Sequence, residues 1–133
     1  MSAPEGSGRM EVAMAASHTW VLPADSTAPG QARWHLRELL SDDTEALDAE
    51  LVATELITNA WRHGRGPITL RAELREHCLF LEVCSESDTE PAVRTESGEE
   101  SGRGLLLIEE LTHGWGFRRN DTHLCVWAEI SAR

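Results

Sequence analysis

The 133-residue chain is 41% hydrophobic and 26% charged, a composition that suits one soluble domain with one core. Its 12 basic residues are all arginine and face 23 acidic ones, for a formal net charge of −11. That balance offers no basic run for nucleic acid, is unsuited to anionic membranes, and fits a basic protein surface better.

Residues 1–16 are rich in Gly, Ser, Ala and Pro and read as a flexible tail ahead of one domain, 17–133. The opening "MSAPEGSGRMEVAMAAS" is no secretory leader, because its apolar part is short and broken by Glu11. No run approaches a membrane span, so a cytoplasmic protein is expected. "HTWVLPA" is strand-like up to Pro23. Ser26 or Thr27 can cap a helix to about Leu40, with Ala32, Leu36, Leu39 and Leu40 on its apolar face. A second helix follows, capped within 41–44 and terminated at His63-Gly64. "PITLRAEL" and "CLFLEVC" read as a hairpin, and 85–102 as a long polar loop. "RGLLLIEELTHG" is a short helix after a glycine, and "WGFRRN" and "THLCVWAEI" form a last hairpin. Strands clustered beside helices predict an α+β fold: a two-layer α/β sandwich whose mixed or antiparallel sheet carries helices on one face.

Cys78, Cys84 and Cys125 form no C-x-x-C pair and lie in strand-like runs, so they are expected as buried thiols in a reducing compartment. The six His residues lack zinc-ligand spacing.

Two stretches carry chemistry. In "ELVATELITNAWRHG", Ala53, Leu56, Ile57, Ala60 and Trp61 share one helical face. Glu55, Asn59 and Arg62 line up along its edge, either as the solvated side of a core helix or facing a site. In "SGRGLLL", the G-x-G of Gly102 and Gly104 lets backbone amides approach phosphate at a helix start, the alternative being a plain hinge. It is neither a Rossmann fingerprint nor a P-loop.

Together, "ELITNAWRHG", a hairpin, a long loop and "SGRGLLLIEEL" followed by "WG" resemble the GHKL (Bergerat-fold) ATP-binding superfamily, over about residues 17–131. The nearest branch is the single-domain anti-sigma-factor serine kinases of actinobacteria. The resemblance implies ATP and Mg²⁺ as ligands. It gives Glu55 the role of general base and Asn59 that of metal ligand, and it makes Gly102 and Gly104, with Arg103 and Leu105 beside them, the phosphate loop. It makes 88–101 an ATP lid. His63 could approach phosphate or bond helix carbonyls, Arg103 could pair with phosphate or face solvent, and Arg62 could rim the site or form a surface ion pair.

The sequence departs from the family at the strand that normally ends in V-x-D-x-(G/S). Here it reads "LEVCSESDTEP", and Pro91 fixes the register so that Ser85 holds the Asp position and Ser87 the small one. A hydroxyl lacks the charge that a carboxylate offers the adenine amino group. Glu86 should point to the other side of the strand. A milder departure lies at His123–Cys125, where many relatives carry Lys or Thr. By resemblance the chain would phosphorylate a STAS-type anti-anti-sigma partner, sequester a sigma factor, or do both. A non-enzymatic binding module of the same fold is the alternative, and a homodimer is left open.

Overall fold

The computed structural model describes residues 17–40, 43–87 and 100–131, with backbone alone at 43–45 and 100–105. The expected tail, 1–16, and most of the expected lid, 88–99, lie outside the described residues. The elements follow the order β1 (Ser17–Leu22), α1 (Ala28–Leu39), α2 (Asp43–His63), β2 (Arg65–Leu74), β3 (Cys78–Glu86), α3 (Glu100–Leu111), β4 (Gly114–Arg119) and β5 (His123–Ser131). The five strands form one sheet in the order β1-β2-β3-β5-β4, and every neighbouring pair is antiparallel.

Period-2 alternation decides which strand residues enter the core. Leu70 and Ala72 on β2, Leu79, Leu81 and Val83 on β3, and Val126, Ala128 and Ile130 on β5 are buried on one face. Against them pack Ala32 and Leu36 of α1, Val52, Ala53, Leu56 and Ile57 of α2, and Ile108 of α3. All three helices therefore lie on that face, as the sandwich requires. Trp61, expected on the apolar face of α2, is 38% exposed, because the core stripe is already filled by smaller residues one turn away.

The helix ends differ in detail from the sequence reading. Thr27 is the N-cap of α1, yet its side chain makes no capping bond. Asp25 takes over, accepting the Thr27 amide at 2.8 Å and its hydroxyl. Those bonds hold the Asp25 carboxyl below the usual carboxylate range. Gly64 ends α2 without a left-handed turn, since the positive φ falls at Gly66 instead. Glycine is needed at 64 for room: a Cβ there would lie 2.6 Å from the Glu86 carbonyl oxygen and 2.7 Å from Ser85 Oγ. Helix α3 begins at Glu100, ahead of the glycines. Gly102 and Gly104 thus sit inside its first turns rather than in a loop before it, consistent with an acidic start that favours a helix N-terminus.

The cysteine expectation needs a correction. Cys84 and Cys125 are joined by a disulfide, and among the described residues only Cys78 is a free cysteine. The two stand directly opposite each other on β3 and β5, a pairing that local sequence does not reveal. Among the described residues no helix is long and apolar enough to cross a membrane.

Candidate functional site

Helix α2 and strand β3 end side by side, and most of the expected site residues stand on these two elements. Ser85 and Ser87 continue the inward alternation of Leu81 and Val83, so both face the helices and are buried, at 3% and 2% exposure. Glu86 points the other way, where its carboxylate lies 3.8 Å from Arg65. The Ser87 hydroxyl donates to the His63 carbonyl oxygen at 3.2 Å. This is the contact that closes the end of α2 onto the end of β3. Ser85 Oγ lies against Gly64, whose missing side chain makes the approach possible.

Glu55 and Asn59 stand one turn apart on α2, each half-buried, and Asn59 is one turn before His63. The stripe runs from Glu55 through Asn59 toward the Ser85–Ser87 corner. Arg62 and His63 are exposed at the helix end, the place where either ion pairing or a phosphate could use them. His63 uses its carbonyl, not its ring, in the bond to Ser87. For Gly102, Arg103, Gly104 and Leu105 the structure describes backbone only, within the first turns of α3, which packs on α2.

Two supports were missed by sequence reasoning. Arg119, the last residue of β4, donates Nη1 to the Ser87 carbonyl oxygen at 2.7 Å. The Ser87 amide donates to the Thr122 carbonyl oxygen at 3.1 Å. The turn between β4 and β5 therefore fixes the end of β3 from the far side. Asn120 Oδ1 holds that turn by accepting the amides of Thr122 and His123. The Asn120-Asp121 hairpin signal is legible in the sequence, but nothing local marks Arg119 as a brace for Ser87.

The donor set at this corner is oxygen-rich and neutral at its centre: two buried hydroxyls, a carboxamide, and a carboxylate two turns along the helix. Such a set can hold a hard cation and its attendant oxyanions and can orient a hydroxyl, and it carries no soft ligand for a transition metal. The cluster of Glu82, Cys84 and Cys125 lies on the opposite face of the sheet and takes no part in it.

Comparison with known proteins bears on the family and the fold. Residues 22–130 match the family described as Histidine kinase-like ATPase domain. No curated protein matches the chain. Among solved structures, the SiaB–SiaC complex from Pseudomonas aeruginosa contains a chain that aligns over 99% of this chain and 100% of its own length, at 14% identity and TM-score 0.63. The Acinetobacter baumannii histidine kinase AdeS aligns over 86% of this chain and 67% of its own, at 18% identity and TM-score 0.50. At such identities the structural likeness speaks for the fold, and the α+β sandwich with an antiparallel sheet is that fold. The family match covers most of the sequence, and the chain belongs to the histidine kinase-like ATPase domain family.

Proposed function

We propose that this protein is a nucleotide-binding regulator that takes Mg-ATP between α2, the end of β3 and the start of α3, and transfers its γ-phosphoryl group to a Ser or Thr of a STAS-type partner. The observation that supports this reading is the half-buried stripe of Glu55 and Asn59 leading into the Ser85–Ser87 corner. The residues fit the ligand in kind. Asn59 offers a neutral oxygen to Mg²⁺, which asks for few protein ligands. Ser85 and Ser87 offer hydroxyls where a base would lie, and the first turn of α3, from Glu100 through Gly102, offers a phosphate backbone amides that have no helical partner, with Gly104 just beyond them.

The nucleotide supplies the phosphoryl group and the metal neutralises its charge. The chain does the rest. Glu55 accepts the proton of the attacking hydroxyl or orients it from its half-buried place on α2. Arg119 and Thr122 hold Ser87 in place, and Gly64 lets Ser85 approach the helix end. Arg62, His63 and Arg103 are the candidate phosphate-side cations. The acidic chain, at −11, meets a complementary partner through basic protein surface rather than nucleic acid or membrane. The similar Pseudomonas aeruginosa structure is itself a complex of two proteins, SiaB and SiaC. By analogy a STAS-type protein or a sigma factor is the proposed partner here, and a cytoplasmic location is proposed with it.

One observation favours a second reading, a binding module that sequesters its partner without chemistry. Ser85 is neutral and its Oγ is already packed against Gly64, leaving no charged acceptor for a base. Thermal shift and calorimetry with Mg-ATP, Mg-ADP and Mg-GTP separate the two. Stabilisation by Mg-ATP together with phosphorylation of a STAS protein supports the kinase. No shift with any nucleotide leaves the sequestering module.

A further inference from the structure

The face of the sheet turned away from the described helices carries a group that the site does not use. Cys84 and Cys125, directly opposite on β3 and β5, are bonded there, and both are half-buried. A carboxylate oxygen of Glu82 and the two sulfurs all lie within 4.8 Å of one another. Glu82 is itself held by two cations: Arg118 Nε donates to it at 2.9 Å and Arg71 Nη2 at 3.2 Å. Arg118 stands opposite Cys125 on the neighbouring strand and reaches across to Glu82 on β3, so its guanidinium lies one carboxylate away from the sulfurs. Arg71 is shared with Glu73 at 3.8 Å, so the charges of this patch are paired, on a chain that is otherwise strongly acidic. The carboxylate nearest the sulfurs is neutralised by its guanidiniums, which removes its repulsion of an attacking or a leaving thiolate, and both of its oxygens are already occupied.

We propose that Cys84–Cys125 is a redox-active disulfide, a site of thiol–disulfide exchange whose co-reactant is a dithiol. A thiolate of the dithiol attacks one sulfur, and a mixed disulfide forms as the Cys84–Cys125 bond breaks and releases a cysteine thiolate beside the Glu82–Arg118 pair. The second thiol of the reductant then attacks the mixed disulfide and leaves as its own cyclic disulfide. Two electrons and two protons pass to the chain, which ends with two thiols. The fold can accept both states, because pairing continues on either side of the bond, at Val83 with Val126, Ser85 with Leu124 and Glu86 with His123. Opening the bond therefore removes a crosslink without separating the strands. The crosslink joins residues 41 apart, and the segment between them contains Ser85, Ser87, Gly102 and Gly104. Its chemistry at the far face thus anchors both ends of the stretch that carries the proposed nucleotide contacts.

The test uses the full chain and no nucleotide, so its outcome is independent of the nucleotide reading. The protein is equilibrated without oxygen across ratios of reduced to oxidised dithiothreitol, quenched in acid, alkylated with a maleimide and mapped by mass spectrometry. Cys84 and Cys125 should gain labels together in one two-electron transition, while Cys78 is labelled throughout. Circular dichroism recorded in parallel should keep its folded signal across the transition. Arg118→Gln should slow reduction by about 3–10-fold, and Arg118→Lys should restore the rate. Labelling of Cys84 and Cys125 at the most oxidising ratio, or only after denaturant is added, would overturn the proposal. An unchanged rate in Arg118→Gln would remove Arg118 from it.

Discussion

Strand β3 buries Leu79, Leu81 and Val83 under helices, while its alternate residues Phe80, Glu82 and Cys84 sit on a face that none of the described helices covers. Yet Glu82 is buried, with its side chain 5% exposed. That face closes over itself. Arg75 and Arg71 lie over the Phe80 ring, with their guanidinium carbons 4.4 and 5.1 Å from its centroid. Phe80 stacks on Trp127, and Arg75 bridges Glu73 and Glu129. On one side the sheet is sealed by apolar packing, on the other by long cations laid over aromatic rings, with the charges paired. The helix face ends in a corner of two buried hydroxyls and a half-buried carboxamide, and the other face carries the disulfide. The two faces of one sheet are thus closed by different means, apolar packing under the described helices and paired charges over aromatic rings on the other side.

The comparison can be broken most strongly on the helix face, along α2. Glu55→Ala should leave ATP affinity within a few-fold and cut phosphoryl transfer to a STAS-type partner by about 10²–10⁴-fold. Asn59→Ala should weaken Mg-dependent nucleotide binding as well. Equal transfer by wild type and Glu55→Ala would take the chemistry away from α2.

The next test compares the seals of the two faces. Leu81→Ala, in the helix-covered core, should cost about 2–5 kcal/mol in urea unfolding. Phe80→Ala, half-buried under guanidiniums, should cost about half as much. Similar losses would mean that the arginine layer seals as well as the helices do.

A smaller effect should separate the faces by pH. Burial pushes the Glu82 carboxyl up, but the hydrogen bonds and charges of Arg118 and Arg71 outweigh it, so its pKa lies below the ordinary carboxylate value. A depressed folded pKa contributes stability above the unfolded value, near 4.3, and that stability is lost as pH falls through the folded one. Glu82→Gln should therefore be about 1–2 kcal/mol less stable at pH 7, a modest loss because both arginines reach solvent. The two proteins should converge in strong acid, and a constant gap down to pH 2 would assign the loss to packing.

The smallest expected effect concerns the base. Ser85→Asp should tighten ATP by about 1–2 kcal/mol and widen its preference over GTP, since a hydroxyl can donate to the guanine oxygen and a carboxylate cannot. Calorimetric titration of both proteins with both nucleotides measures it. Low-micromolar ATP binding with strong adenine selectivity in the wild type would show that another group reads the base.

The helices, the two hairpins and the element order are legible in the sequence because period and turn chemistry are local properties. The inward orientation of Ser85 and Ser87 and the opposite orientation of Glu86 follow from the pleat. Cross-strand partners are not legible. Cys84 meets Cys125, and Arg118 reaches Glu82, only because β5 inserts between β3 and β4. Arg119 likewise braces Ser87 across a strand order that the sequence does not spell out. Gly64 reads as a helix terminator for its backbone freedom, whereas the structure uses its small size.

Trp127 lies flat against Gly116, where a Cβ would come within 2.8 Å of the indole, and it shares a face with Cys125 two residues earlier on β5. An excited indole loses its energy readily by passing an electron to a neighbouring disulfide. The glycine therefore holds a fluorophore at a fixed place beside the Cys84–Cys125 bond, and emission should brighten when that bond is opened. The molecule carries its own optical signal for the state of its far face, readable in a cuvette without any added dye.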